Sequence, residues 1–139
     1  MSQDAHSAPT IFSMSFNRLT RLVMTPILAC PRRCRVTVSP AVLEVVMGAR
    51  GWAFTARVPR TSIVDVARVS GPVFSWGAHG WRGRWLVNGS SRGLVQVNID
   101  PTTWAHCCGI PLRLRQLIVS VDDPDRFAAA LDDASTTRR

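Results

Sequence analysis

The chain has no lysine and no tyrosine: its 17 basic residues are all arginine, and its aromatics are five tryptophans and five phenylalanines. Arginine in place of lysine throughout is what the codon usage of a GC-rich genome imposes, so the guanidinium preference carries no chemical reading of its own. Tryptophan without tyrosine has no explanation in the sequence beyond core filling. Charge is sparse as well, at 19% of residues against 46% hydrophobic, which is below the usual quarter and points to a globular rather than a disordered chain. A length of 139 residues suits one domain with a real core and is too short for two ordinary ones.

The constellations that carry chemistry are missing too. His79, beside Gly80, has the side chain of a general base. No serine, cysteine or carboxylate near it completes a catalytic set, so it is read as a loop histidine bonded to backbone. Asn88-Gly89-Ser90-Ser91 has neither the length nor the lysine of a phosphate-binding loop. Cys30-Pro-Arg-Arg-Cys34 is half of a zinc motif, and His106-Cys107-Cys108 is the only other candidate half. Adjacent strand residues point to opposite faces, so Cys107 and Cys108 cannot both turn to one metal without a distorted backbone. They are read as small hydrophobes at the end of a strand. The expectation is no enzyme, no cofactor and no metal. With no secretory signal evident, it is also reduced thiols in a cytoplasm.

What is present is positive charge and β-type alternation. The formal charge is +8, which draws the chain weakly toward phosphate-rich or anionic surfaces. The basic residues concentrate toward the front: residues 1–60 carry eight arginines against Asp4 and Glu44, while residues 121–139 carry five aspartates against three arginines. Nucleic-acid binders often gather basic residues into a run or a helix face. Here they are scattered singly or in pairs, which argues against that class.

In chain order, residues 1–9 read as loose. Phe12, Phe16, Leu19 and Val23 at helical spacing predict an amphipathic helix of about three turns, too short and interrupted to span a bilayer. It is read as packed on the domain, as lying on a membrane surface, or, with Met24 as the start, as no part of the natural product. Strands are expected at Cys34–Val38, Val42–Met47, Trp52–Val58 and Ile63–Val69, separated by Ser39-Pro40-Ala41 and Gly48–Gly51 and ended by Pro59 and Gly71-Pro72. Residues 73–80 read as an irregular connection.

The most regular stretch is Trp81–Ile99. Trp81, Gly83, Trp85 and Val87 alternate with Arg82 and Arg84, and Val95, Val97 and Ile99 resume the pattern after a polar loop. It predicts one long-tipped hairpin with both tryptophans facing inward, stopped by Asp100-Pro101. Residues 102–110 are ambiguous between strand and loop. Beyond them Leu112 and Leu114 fall out of phase with Leu117, Val119 and Val121, which predicts a bulge or tight turn near Arg115-Gln116. A helix is expected from Pro124 to Asp133. Asp123 caps it, Pro124 takes the first helical position and Asp125 meets the positive end of the dipole, while Phe127 and Leu131 form the buried stripe.

About seven strands and one terminal helix predict a mainly β fold: a partly closed antiparallel barrel or two packed sheets sealed by the helix. The ending Leu117-Ile-Val-Ser-Val-Asp-Asp-Pro-Asp-Arg-Phe-Ala-Ala-Ala-Leu131 is similar to the last strand and capping helix of bacterial pleckstrin-homology-like domains. The segment His79-Gly-Trp-Arg-Gly-Arg-Trp85 also resembles a stretch of short bacterial proteins of that type. The resemblance covers about residues 33–133 and implies a scaffold that binds proteins, peptides or lipids without catalysis. Lipid-binding relatives place Lys/Arg around the first hairpin, where this chain has Arg33, Arg35, Arg50, Arg57 and Arg60 but no lysine.

The organisation expected is an extension over 1–32, disordered or a short helix, a domain over 33–133 and a disordered tail over 134–139. The expected function is an adaptor for a protein or peptide, with binding candidates Arg57, Arg60, Arg82, Arg84 and His79. The alternatives are a peripheral membrane module using the front-half arginines at the inner face of the membrane, and a small-ligand protein or enzyme built on the barrel interior. Arg82 and Arg84 become a phosphate or base contact only if Trp81 and Trp85 stand beside them. With the tryptophans inward they are a strand's wet face. Asp65, within an apolar strand, is read on the wet face opposite an arginine.

Overall fold

The structure is a computed structural model that describes residues 9–14, 18, 22, 34–48, 52–70, 77–88 and 92–136. Among the described residues nine strands form one sheet: β1 (Thr10–Ser13), β2 (Arg35–Val38), β3 (Val42–Met47), β4 (Phe54–Pro59), β5 (Ile63–Arg68), β6 (Gly77–Trp81), β7 (Arg84–Asn88), β8 (Leu94–Cys107) and β9 (Ile110–Ser120). One helix follows, α1 (Pro124–Thr136). The strand order is β1-β2-β3-β4-β8-β9-β7-β6, with β5 paired to β8. Every pairing is antiparallel except that of β7 with β9.

The 14-residue β8 is the spine. Its first half pairs with β5 from Val95 to Ile99, its second half pairs with β4 from Ala105 to Cys107, and β9 runs along both. The ladder does not close into a barrel. A single bridge between Met14 and Val121, and the Asp122 amide donating to the Ser13 carbonyl at 3.1 Å, tie the first strand to the end of β9. The fold is therefore mainly β, a partly open sheet sealed by one C-terminal helix, as the alternation and the terminal cap predict.

Alternation decides which face is covered. Val36 and Val38, Leu43, Val45 and Met47, Phe54, Ala56 and Val58, and Val95, Val97 and Ile99 all point to one apolar face and are buried. Burying each large side chain of this kind contributes about 1.5–3 kcal/mol. On β9 the buried set shifts from Leu114 to Leu117 and Val119, continued by Val121 just past the strand, and the predicted slip lies between Leu114 and Leu117. The successive amides of Arg115 and Gln116 donate to one acceptor, the Gly83 carbonyl, at 2.8 and 3.0 Å, while the β8–β9 register shifts between Asn98 and Thr103. The additional β8 residues hold the cis Asp100-Pro101 bond, inside the strand rather than at its end.

Helix α1 starts where the cap requires: the Arg126 amide donates to Asp123 Oδ1 at 3.2 Å. Phe127 and Leu131 are buried, as expected, and the Phe127 ring meets Phe12 edge-on with centroids 5.4 Å apart. The helix continues three residues past the expected end, to Thr136.

Four local expectations are corrected. Phe12 does not open a helix: it lies in β1, paired with Val36, and it and its alternate neighbour Met14 are both buried. Packing two apolar residues in strand phase outweighs the helical spacing of residues further on. Arg18 and Leu22 are helical and exposed, and Phe16, Leu19, Val23 and Met24 fall outside the described residues. Trp52 precedes β4 and is 62% exposed. Residues 77–80 belong to β6, not to an irregular connection, and residues 102–107 are strand. Asp65 is on the wet face but opposite Asn98, whose Nδ2 donates to its Oδ2 at 3.3 Å.

Candidate binding surface

The stretch read as one long-tipped hairpin is two separate pieces. A two-residue turn at Arg82-Gly83 breaks the alternating run, and both residues have positive φ (52° and 82°), the geometry of a type I′ turn that matches the twist of its strands. The hairpin is therefore β6–β7, with Trp81 opposite Arg84. β7 then lies parallel to β9, and β8 pairs with β9 and not with β7.

This refolds the tryptophan pair. Trp85 keeps a half-buried position, with its ring centroid 5.8 Å from that of Phe54, and it lies on its cross-strand partner Gly80. A Cβ on Gly80 would stand 2.2 Å from the indole, so glycine is what admits the ring. Trp81 is 75% exposed. The inward reading holds in part for Trp85 and is overturned for Trp81, because the turn places Trp81 on an edge strand.

The turn docks onto β9. A Cβ on Gly83 would meet the Arg115 side chain at 3.0 Å and the Arg113 carbonyl at 3.1 Å. Arg82 and Arg84, both exposed, are thereby brought beside Arg113 and Arg115, also exposed, from a point 31 residues earlier in the chain. Arg113 faces Trp104 across the β8–β9 ladder. Its guanidinium sits 4.5 Å from the centre of the indole ring and donates to Thr102 Oγ1 at 3.3 Å. Among the described residues, Arg82, Arg84, Arg113 and Arg115 form no ion pair.

The outer face continues as a polar row in register across five strands: Asp65, Asn98, Gln116, Arg84 and Trp81. Gln116 Nε2 donates to Asn98 Oδ1 at 3.1 Å and Gln96 Nε2 donates to the same oxygen at 3.3 Å. One end of the row is acidic, and the other is basic and aromatic. The basic end lies at β6, which among the described residues pairs only with β7.

The other expected residues are elsewhere. Arg57 is exposed on β4 and 3.6 Å from Glu44 on β3. Arg60 is half-buried and fully engaged: it donates to the carbonyls of Ser39 at 3.0 Å, Ala130 at 3.0 Å and Leu131 at 2.9 Å. It joins the β2–β3 turn to α1. His79 lies on β6 opposite Leu86, and its side chain is outside the described residues. The surface thus unites Arg82 and Arg84 and leaves Arg57 and Arg60 apart. Trp104, Arg113 and Arg115 were not singled out in the sequence. Their only signal there is Arg113 and Arg115 at period two, which places both on a strand's wet face.

Cys34 is disulfide-bonded, against the expectation of reduced thiols, while Cys107 and Cys108 are free. No helix among the described residues is long and apolar enough to cross a membrane. Compared with known proteins, the chain matches no family model, no curated protein and no solved structure.

Proposed function

We propose that the protein is a non-catalytic binding module that takes up an extended acidic segment of another protein at the β6 edge. Four arginines with no carboxylate partner among the described residues, beside the exposed Trp81, carry this reading. An edge strand offers a row of backbone donors and acceptors to an added strand, and side-chain contacts beside it supply selectivity. Arg82, Arg84 and Arg115 offer bidentate donors to carboxylates, and Trp81 offers apolar area at the same edge.

A peptide suits this site better than a nucleic acid for two reasons. A nucleic acid has no use for a strand edge, and one face of Trp104 is already covered by Arg113, which takes that side from a stacking base. The pleckstrin-homology-like resemblance, with its implied role as a docking scaffold, belongs to this proposal.

The test is a titration followed by tryptophan fluorescence and backbone amide shifts, using a ten-residue peptide of alternating glutamate and valine, a single-stranded oligothymidylate and anionic phospholipid vesicles. The expected result is peptide binding with amide shifts confined to residues 77–88 and 113–116, reduced about 10²-fold or more in R82S/R84S, since two lost charge-assisted hydrogen bonds are worth roughly 1.5–3 kcal/mol each. Tighter binding of the oligonucleotide or the vesicles than of the peptide, or peptide binding unchanged in the double variant, would sink the proposal.

A further inference from the structure

We propose that Cys107 and Cys108 form a two-thiol site for a trivalent thiophilic centre such as arsenous acid or a monosubstituted arsenical. The site lies on the β8–β9 turn, away from the β6 edge, and does not depend on the function proposed above.

The turn removes the obstacle to a shared site. Two adjacent cysteines on a regular strand diverge. Here only Cys107 is on the strand, paired with Phe54 on one side and Ile110 on the other. Cys108 is the first residue of the turn, with φ at 51°, and Gly109 follows at 77°. The left-handed conformation at Cys108 is one that Asn, Asp or Gly ordinarily occupies in such a turn. It rotates the second side chain out of the strand's alternation, and the two thiols lie near enough to interact.

Both backbones are pinned. Cys107 is held in two ladders, and the Cys108 amide donates to the Ala53 carbonyl at 3.3 Å. Access is open: Cys108 is exposed, and a Cβ on Gly109 would meet nothing within 4 Å. Burial, then the neighbouring Cys108, push the Cys107 thiol above its ordinary value, so at neutral pH it is held in the protonated form.

Ligand count selects the chemistry. Among the described residues no group of three or more His, Cys, Asp or Glu side chains is placed to hold a metal ion, so a closed tetrahedral zinc centre lacks its donors. A linear two-coordinate ion needs its two sulfurs on opposite sides, which adjacent residues at a tight turn do not offer. A pyramidal trivalent centre needs two sulfurs close together on one side. In the exchange two As–O bonds break and two As–S bonds form. The two thiol protons leave with the two hydroxyls as two molecules of water, and no electron is transferred.

The test uses the full chain, reduced with a phosphine, desalted and incubated with phenylarsine oxide. Iodoacetamide and trypsin follow, so that Cys107 and Cys108 are read together on the peptide from Gly93 to Arg113, which holds no other cysteine. The expected result is that this peptide escapes alkylation with the arsenical present and carries two alkyl groups when 2,3-dimercaptopropanol is added first. In C108S and in C107S, protection at equal concentration should fall about 10²-fold or more, because the second attachment is no longer intramolecular. Full alkylation of the wild-type peptide at a twofold excess of phenylarsine oxide, or protection of either single variant equal to wild type, overturns the proposal. C108S replaces an exposed side chain, so its result does not turn on folding.

Discussion

Arg60 and Arg84 carry the same side chain on the same sheet and are used in opposite ways. Arg60 faces the seam where the β2–β3 turn, the end of β4 and α1 meet, and its guanidinium is taken up by three backbone carbonyls. Arg84 stands on the outer face opposite exposed Trp81, with no ion pair among the described residues. The difference lies in the acceptors that the fold brings to each. A guanidinium within reach of several carbonyls becomes part of the structure, and one among other cations keeps its donors turned to solvent.

The comparison can be broken first at the seam. Phe127 is fully buried and edge-on to Phe12, so F127A should cost about 3–5 kcal/mol through lost transfer energy and the cavity left behind, measured by urea unfolding. A loss below about 1 kcal/mol, the size of an ordinary surface change, would mean that α1 does not seal the sheet. The next effect is at Arg60. R60M keeps the apolar stem and removes the donors, and should cost about 1–3 kcal/mol by leaving carbonyl acceptors unpaired. An unchanged unfolding midpoint would place Arg60 with the outer arginines and erase the distinction. The smallest effect is expected at Arg115, where R115S should shift stability by no more than about 0.5 kcal/mol. A larger cost would show that the outer cations hold the turn at Gly83 in place and are not held available.

Much of the fold was legible because its signals are local. The faces of β2, β3 and β4 follow from alternation, the start of α1 from Asp123 and Pro124, and the bulge in β9 from a one-residue slip in apolar phase. The proposed binding surface was legible only in part. Arg82 and Arg84 stand out in the sequence, but alternation puts them on the wet side of a strand beside two inward tryptophans. A cue against that reading is present: Gly83 inside a supposed strand weakens it and marks a bend or a close backbone approach. Cys108-Gly109 before Ile110 was a comparable turn signal, overshadowed by the apolar character of its neighbours.

By itself the sequence determined that this chain would be a β domain with one apolar face, closed by a capped helix, because side-chain period and capping chemistry act over two to four residues. The tertiary structure alone decided that β7 lies parallel to β9, that Trp81 faces water while Trp85 covers Gly80, and that four arginines from two distant segments share one surface. Those outcomes depend on which strand pairs with which. Strand pairing is set by the burial of the whole apolar face, and no short window of residues contains that information.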